Sequence, residues 1–571
     1  MAACRFLRAP AADPTPVVLL PPSRRRWLWV VPVLLGIWIA LLLAARWPAP
    51  FYRVIMSNSP IDASFFAYAG ELVREGGVPY VTFWDHKPPL IYLIDVAALT
   101  LSGGDIRGVW AASLVTLVLS LGLAWAALRR AVGTMGAVLG TAFFAFALPS
   151  ILASNLTEEF VLPMQWAAVL LLLAAWRAPE RALRYGLGLG ILAGLAALLR
   201  PNLIGGPLAA GLALTPLLLG PGRVRDWLRL VLGSAVGVAL VVGAAGAYLS
   251  ASGALAGFRD EVVHYNTLYV SSGWSTRVRA AYIGLRTATA SGTLLLPLAG
   301  WLLAGRRWWN GRSSAWRDPV LLLALVWLPI ELALAATSGR PYGHYFAPLF
   351  APLTLLVGVL GREIAGLDGV PGGVVGGASG AGSGGRLRAA SVTAALVLAL
   401  GVSTVSEMLF RLRDDVRSSH RAQQIGAVVG YVQRHSRPGD RLLVWGHAAD
   451  VHFFSGRRPA SRFIYPLPLL TPGYADSTMV AGFLREVQQS APPVIVDATP
   501  HAPYGDDLVP PLGRFDAAWR YPDPARSGWT GRSWWTMTPA MRIFYDWVHA
   551  NYQVVDSVGP DRWAIYARRP S

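Results

Sequence analysis

The sequence predicts an α-helical polytopic membrane protein that carries a C-terminal extracytoplasmic α/β domain. Three observations carry this reading. Of 571 residues, 54% are hydrophobic and only 14% charged, whereas an ordinary soluble domain carries about 25% charged residues. Apolar runs long enough to cross hydrocarbon recur about eleven times, starting near Trp27, Ile106, Val132, Phe160, Arg184, Leu203, Leu230, Ala280, Pro319, Tyr342 and Ala389. The arginines cluster at alternate turns: Arg24 to Arg26, Arg129 and Arg130, Arg177 to Arg184, Arg223 to Arg229, Arg306 to Arg317, and Arg362 to Arg388. Such turns are cytoplasmic by the positive-inside rule. The net charge of +18 is therefore read as a topology signal, and no nucleic-acid partner is expected.

Taken in order, residues 1–26 form a cytoplasmic tail holding Cys4, the single cysteine, so neither a disulfide nor a cysteine-based metal site is expected. The run from Trp27 is too long for the core of a cleaved signal and reads as a retained anchor. Residues 27–411 make the membrane domain. Within it, the first loop (46–105) and a second large loop (250–279) face outward, and a Gly-rich stretch inside 361–388 is a cytoplasmic linker. An odd number of spans leaves the N-terminus inside and residues 412–571 outside, at the plasma membrane. In that tail, Arg441 to Gly446 and Pro492 to Ala498 read as buried strands. The sequence from Tyr552 to Arg569 reads as a hairpin turned at Gly559-Pro560, and helices are expected near Arg417 to His435, Thr478 to Gln489 and Pro539 to Asn551.

Candidate chemistry gathers at the outer membrane boundary. The first loop contains "VTFWDHKPPLIYL", with Lys87 the only lysine in the chain. An interfacial lysine would serve as well if it were arginine, which the chain uses everywhere else. Lysine offers a compact three-donor cation suited to a phosphate in a tight cavity, and Pro88 restricts the Lys87 backbone to extended conformations. Upstream, Ser59, Pro60 and Asp62 open a helix that Gly76 and Gly77 end. Its stripe of Phe65, Phe66, Ala69, Leu72 and Val73 predicts that it lies flat on the membrane face. Asp62 then either completes a cap or stands ionised as a base. Glu158 and Glu159 open the fourth span, where acids also suit a solvated helix start. "SGRPYGHYFAP" sets Arg340, His344 and Tyr345 at a span end, with Arg340 a second phosphate contact. Arg200 in "LLRPN", and His264 and Tyr265 in the second large loop, are weaker candidates of the same kind. Glu331 alone stands where a transporter would keep a mid-membrane ionisable group.

These motifs together resemble the GT-C glycosyltransferases that use polyprenyl-phosphate sugars: Asp on the first-loop helix, "GGVPYVTFWDHKPPLIYL", paired acids, "LLRPN" and "YGHYFAPLFAPL". The similarity is to the bacterial protein O-mannosyltransferase and aminoarabinose transferase group (glycosyltransferase family 39-like). The resemblance implies that Asp62 is the catalytic carboxylate, that Lys87 holds the lipid phosphate with Arg340 and Arg200 nearby, and that Glu158 or Glu159 is the second-loop acid. Tyr80, Asp85, His86, His264, Tyr265, His344 and Tyr345 are expected as further substrate contacts. The implied partners are a polyprenyl-phosphate-linked sugar donor, membrane lipids and an acceptor hydroxyl on protein, lipid or glycan. Ala63 follows Asp62 where many relatives carry Glu, which leaves the acceptor and a divalent metal open; no protein metal ligand or other cofactor is assigned. A pyrophosphate-donor oligosaccharyltransferase or O-antigen ligase, a lipid or sugar transporter, and a glycan-binding receptor are the alternatives. "SWWTMTP" (Ser533 to Pro539) lacks the acid expected after Trp-Trp in the first of these.

Overall fold

A computed structural model of the chain describes residues 61–147, 155–219, 223–270, 273–288, 294–311, 318–366, 415–499, 509–518 and 536–570. The expected first and last spans, the cytoplasmic tail with Cys4, the Ser59-Pro60 cap, the Gly-rich linker and the Ser533-Trp534-Trp535 part of "SWWTMTP" lie outside those residues.

Five described helical stretches are long and apolar enough to cross a membrane: Arg107–Ala131, Thr157–Arg177, Pro179–Leu199, Val224–Ala251 and Gly343–Ala365. Shorter apolar helices, Gly133–Ala147, Gly205–Leu218 and Pro319–Ala335, complete the bundle. Its core is mostly leucine and alanine, with Trp166 set edge-on between Phe144 and Trp327 at centroid distances of 6.0 and 5.9 Å. Two helices join with their backbones nearly touching. Gly186 and Gly190 sit against the carbonyls of Leu230 and Ser234, and Gly233 and Gly237 against those of Leu183 and Leu187. A four-residue glycine spacing on both helices allows this close approach, which stands in for the hydrophobic drive that lipid removes.

One expectation fails here. Among the described residues, the span predicted to start near Ala280 contains two helices, Trp274–Ala288 and Leu295–Asn310, neither of them of spanning length. The first carries Arg277, Arg279 and Arg286, too polar for lipid on all sides, and its Gly284 seats the ring of Phe346. It packs against the segment Gly343–Leu349.

The C-terminal part folds on a five-stranded sheet in the order β2-β1-β3-β5-β4, with β1 Arg441–Trp445, β2 Arg458–Pro459, β3 Val494–Asp497, β4 Tyr552–Val558 and β5 Trp563–Arg568. Strands β1, β2 and β3 run parallel, and β5 pairs antiparallel with β3 and β4. Strands β1 and β3 are apolar and buried nearly throughout because sheet and helices cover both faces. Gly559 turns the β4–β5 hairpin at φ 79°. Asp476 caps helix Ser477–Ser490 by accepting from the Met479 N–H at 2.7 Å.

The helix of Asp62, Ile61–Arg74, is buried on every side from Ala63 to Gly70. A single stripe lying on lipid does not describe it. Helix Leu90–Leu101 packs on one side and helix Ala449–Ser455 of the sheet domain on another. Tyr68 stacks on His452 with centroids 5.5 Å apart, and Phe65 meets Tyr465 edge-on at 5.1 Å. One continuous hydrophobic cluster thus runs from Phe65 and Trp84 in the first loop through Tyr265 in the second large loop to Leu469 and Phe544 in the sheet domain. Each large ring so buried is worth about 3 kcal/mol, and the sheet domain is fastened to the membrane part by several of them.

Candidate active site

The site is built where the first loop re-enters the bundle. Pro88 and Pro89 precede helix Leu90–Leu101, with Pro89 at its N-terminus at φ −78°. The Lys87 carbonyl accepts from the Tyr80 hydroxyl at 2.7 Å and from the Tyr92 hydroxyl at 3.4 Å. Tyr80 holds a left-handed backbone, φ 65°, a strained conformation for a bulky residue that persists only where its surroundings enforce it. These restraints fix where the Lys87 ammonium points. It lies 3.7 Å from Asp62 Oδ2 and 5.0 Å from the centroid of the Phe66 ring.

His344 Nε2 approaches the same Asp62 oxygen, also at 3.7 Å. Burial would push the Asp62 carboxyl up, but Lys87 and then His344 hold it well below the usual carboxylate range. Burial would likewise lower the Lys87 ammonium, and the Asp62 and Asp85 carboxylates together raise it instead. Both charges are therefore kept in a largely buried place, with the Asp62 side chain 21% exposed and Lys87 8%. Asp85 beside them is fully buried. It accepts from the hydroxyls of Tyr465, at 2.8 Å, and Tyr92. Against its burial, Lys87 and His86 bring its carboxyl down to about 2.

The remaining candidates divide. Arg200 lies over the Tyr345 ring at 3.6 Å and donates to Glu158 at 2.6 Å. Asn155, at φ 57°, joins that edge to the Asp62 helix by donating to the Ala63 carbonyl at 3.1 Å. Glu159 is wholly buried next to this pair. Arg340 lies over the Tyr269 ring at 4.0 Å, and the Tyr269 and Tyr345 hydroxyls meet at 3.1 Å. The His86 ring sits 5.2 Å from that of Tyr269, and burial followed by Lys87 lowers its pKa. Lys87, Asp62, His344, Arg200, Tyr345 and His86 thus form one linked set. Tyr80 serves it from behind, and Tyr265 packs against His86 and Trp84. His264 stands apart: half exposed, it pairs with Asp260 at 3.2 Å beside Tyr474.

Four contributors escaped the sequence reading. Tyr269 and Glu261 lie on the second large loop with Tyr265, spaced by four residues on one helical face, a pattern that marks a shared side. Asn266 of the same turn donates to the His86 carbonyl at 2.7 Å. Tyr465 comes from the sheet domain, 380 residues from the Asp85 that it holds, and no local pattern announces it. Among the described residues, no three His, Cys, Asp or Glu side chains converge to hold a metal, and the partners of Asp62 are an ammonium and an imidazole, not a second acid. Glu331 belongs to another layer: it accepts from the Trp327 indole at 3.1 Å, inside the bundle beside Gly205.

Residues 86–249, less than a third of the chain, match the family described as dolichyl-phosphate-mannose-protein mannosyltransferase. No curated protein matches the chain by sequence. Among solved structures, ArnT from Cupriavidus metallidurans in the apo state superposes with a TM-score of 0.52 at 16% identity, over 94% of this chain and 99% of that one. Its form bound to undecaprenyl phosphate gives 0.50 at 17% identity, over 94% and 98%. The Archaeoglobus fulgidus oligosaccharyltransferase tethered with an acceptor peptide gives 0.50 at 14% identity, over 83% and 69%. The chain is a multi-pass membrane protein with the GT-C fold of these glycosyltransferases.

Proposed function

We propose that the protein is an inverting membrane glycosyltransferase that moves a sugar from a polyprenyl monophosphate to an acceptor hydroxyl at the outer face of the membrane. The observation that carries this is the convergence of Asp62 and Lys87 at 3.7 Å in a buried place under the sheet domain. The orientation rests on the arginines. Arg177 and Arg362 sit near the ends of helices whose opposite ends adjoin Glu158 and His344, so a cytoplasmic arginine side puts the site outside.

In the reaction, the acceptor oxygen attacks the anomeric carbon as the bond from that carbon to the phosphate oxygen breaks. The electron pair leaves with polyprenyl phosphate, and the acceptor's proton passes to Asp62. The leaving phosphate is already anionic, so it needs a fixed cation more than an acid. Lys87 supplies that cation, with Arg200 and Arg340 at the same edge. Engaging phosphate draws Lys87 away from Asp62, which frees the carboxylate to act as a base. Binding of the donor and activation of the base are coupled through one side chain.

The likeness to an oligosaccharyltransferase sustains a second reading, a pyrophosphate donor. Purified protein offered radiolabelled polyprenyl monophosphate sugars, and pyrophosphate counterparts, separates the two by the lipid product released, polyprenyl phosphate from the first donor and polyprenyl pyrophosphate from the second. Release from a monophosphate donor is expected. Release from pyrophosphate donors alone establishes the second reading, and release from neither removes both.

A further inference from the structure

The sheet domain grips the segment that carries Lys87 more closely than a tethered acceptor-binding module needs to. The Trp84 N–H donates to the Arg462 carbonyl at 2.9 Å, and the Trp84 indole donates to the Tyr474 hydroxyl at 2.9 Å. The Arg462 guanidinium donates to the Tyr80 carbonyl at 2.7 Å and pairs with Glu261 of the second large loop. Glu261, 1% exposed, accepts in turn from the Asp85 N–H at 3.0 Å. The Tyr465 hydroxyl closes on the Asp85 carboxylate at 2.8 Å. Backbone or side chain of Tyr80, Trp84 and Asp85 is thus held from the sheet domain, directly or through Glu261, within seven residues of Lys87.

These bonds run in one direction. Asp85 is the second residue before the ammonium, and Tyr80 carries the hydroxyl that holds the Lys87 carbonyl. A left-handed Tyr80 does not hold its conformation on local preference; Arg462 on its carbonyl and Gly257 packed against it supply the restraint. By contrast, the exposed Arg458–Glu75 pair, at 2.8 Å, spans the same interface without touching the Lys87 segment.

Resting on the glycosyltransferase reading above, we propose that the sheet domain is one wall of the donor-phosphate site, with Tyr465 and Arg462 as positioning residues for Lys87. Without their contacts the Lys87 segment loses the backbone path that presents the ammonium, and lipid phosphate binds less well even where the acceptor is absent.

The test is binding of undecaprenyl monophosphate, without sugar or acceptor, to the full-length protein in nanodiscs. Tyr465→Phe keeps the ring and removes one hydroxyl from a buried carboxylate. It is expected to weaken binding about tenfold, the scale of one hydrogen bond to a charged group. In turnover, the donor KM rises while kcat per folded molecule stays near that of the parent; a merely structural loss lowers the active fraction, hence the apparent kcat, and leaves KM in place. Arg458→Ala is expected to bind as the parent does. Binding by Tyr465→Phe within twofold of the parent overturns the inference, and so does equal weakening by Arg458→Ala, which reports general loosening of the interface. Hydrogen exchange on the unmodified protein gives a reading that needs no variant: amides of residues 80–87 and of β1 and β3 lose protection together in mild denaturant, and separate loss overturns the inference. Failure of the parent protein itself to bind undecaprenyl monophosphate defeats the glycosyltransferase reading, an outcome distinct from these.

Discussion

Two opposite-charge pairs lie near each other, and they are built differently. Arg200 and Glu158 meet at 2.6 Å, the guanidinium further seated on the Tyr345 ring. Lys87 and Asp62 stay 3.7 Å apart, beyond a good hydrogen bond, with a second donor from His344 at the same distance. The first pair is fully engaged, with the Thr157 hydroxyl donating to the other Glu158 oxygen at 2.8 Å. The second leaves each partner with capacity to spare, because Lys87 has three N–H groups and Asp62 two oxygens. The two cations are similarly buried, but the acids are not, with Asp62 21% exposed and Glu158 2%; spacing and the exposure of the carboxylate together set the proposed working pair apart from the other.

The contrast is broken most directly by removing the loose pair. Asp62→Asn and Lys87→Ala are each expected to lower kcat/KM by about a thousandfold or more while the protein remains inserted and folded, as steady-state release of lipid phosphate reads. Near-parental turnover in either variant withdraws the role of that residue. Lys87→Arg sharpens the point. Arginine exchanges the compact ammonium for a longer planar fork beside the Phe66 ring, so a loss of roughly 10- to 100-fold is expected; full activity would show that charge alone suffices.

The pH dependence follows from the same pair. A base must be ionised, so activity is lost as pH falls through its pKa. Lys87 and His344 hold Asp62 low, so in the free enzyme the acid limb of kcat/KM is expected below about 4, the ordinary carboxylate value. An acid limb between pH 6 and 7 would assign proton transfer to a histidine. Breaking the tight pair acts on folding first. Glu158→Gln strands the buried Arg200 charge and is expected to cost about 3–5 kcal/mol of stability, with a smaller effect on kcat/KM per folded molecule than either loose-pair variant. A melting curve unchanged from the parent would show the pair to be dispensable. The smallest effect belongs to His264→Ala, on an exposed side chain: about 0.5 kcal/mol or less in stability and turnover equal to the parent. A large loss there would place the second large loop's histidine in the site.

What was legible in the sequence was whatever depends on local pattern. A lone lysine before two prolines, an acid in the first turn of a helix, apolar runs of spanning length and short strands bounded by turn residues all state themselves within a dozen residues. Helix Trp274–Ala288 did not, because the apolar run after Ala280 hid its three arginines and the Gly284 that packs against Phe346. The covering of the Asp62 helix was equally hidden. Its stripe showed one apolar face, while Tyr68 on another face finds His452 only when the sheet domain folds over it. Glu261 and Arg462 lie 201 residues apart, and neither spacing nor composition connects them. Long-range polar contacts carry no period, and they are where the reading stopped.

A chain with a single ε-amino group offers its own spectroscopic probe. Lysine enriched in nitrogen-15 would contribute one side-chain resonance, free of overlap from other lysines, and that nucleus sits beside the carboxylate of Asp62. Its chemical shift would follow the capture and departure of the lipid headgroup without a fluorophore, an engineered cysteine or any change to the protein.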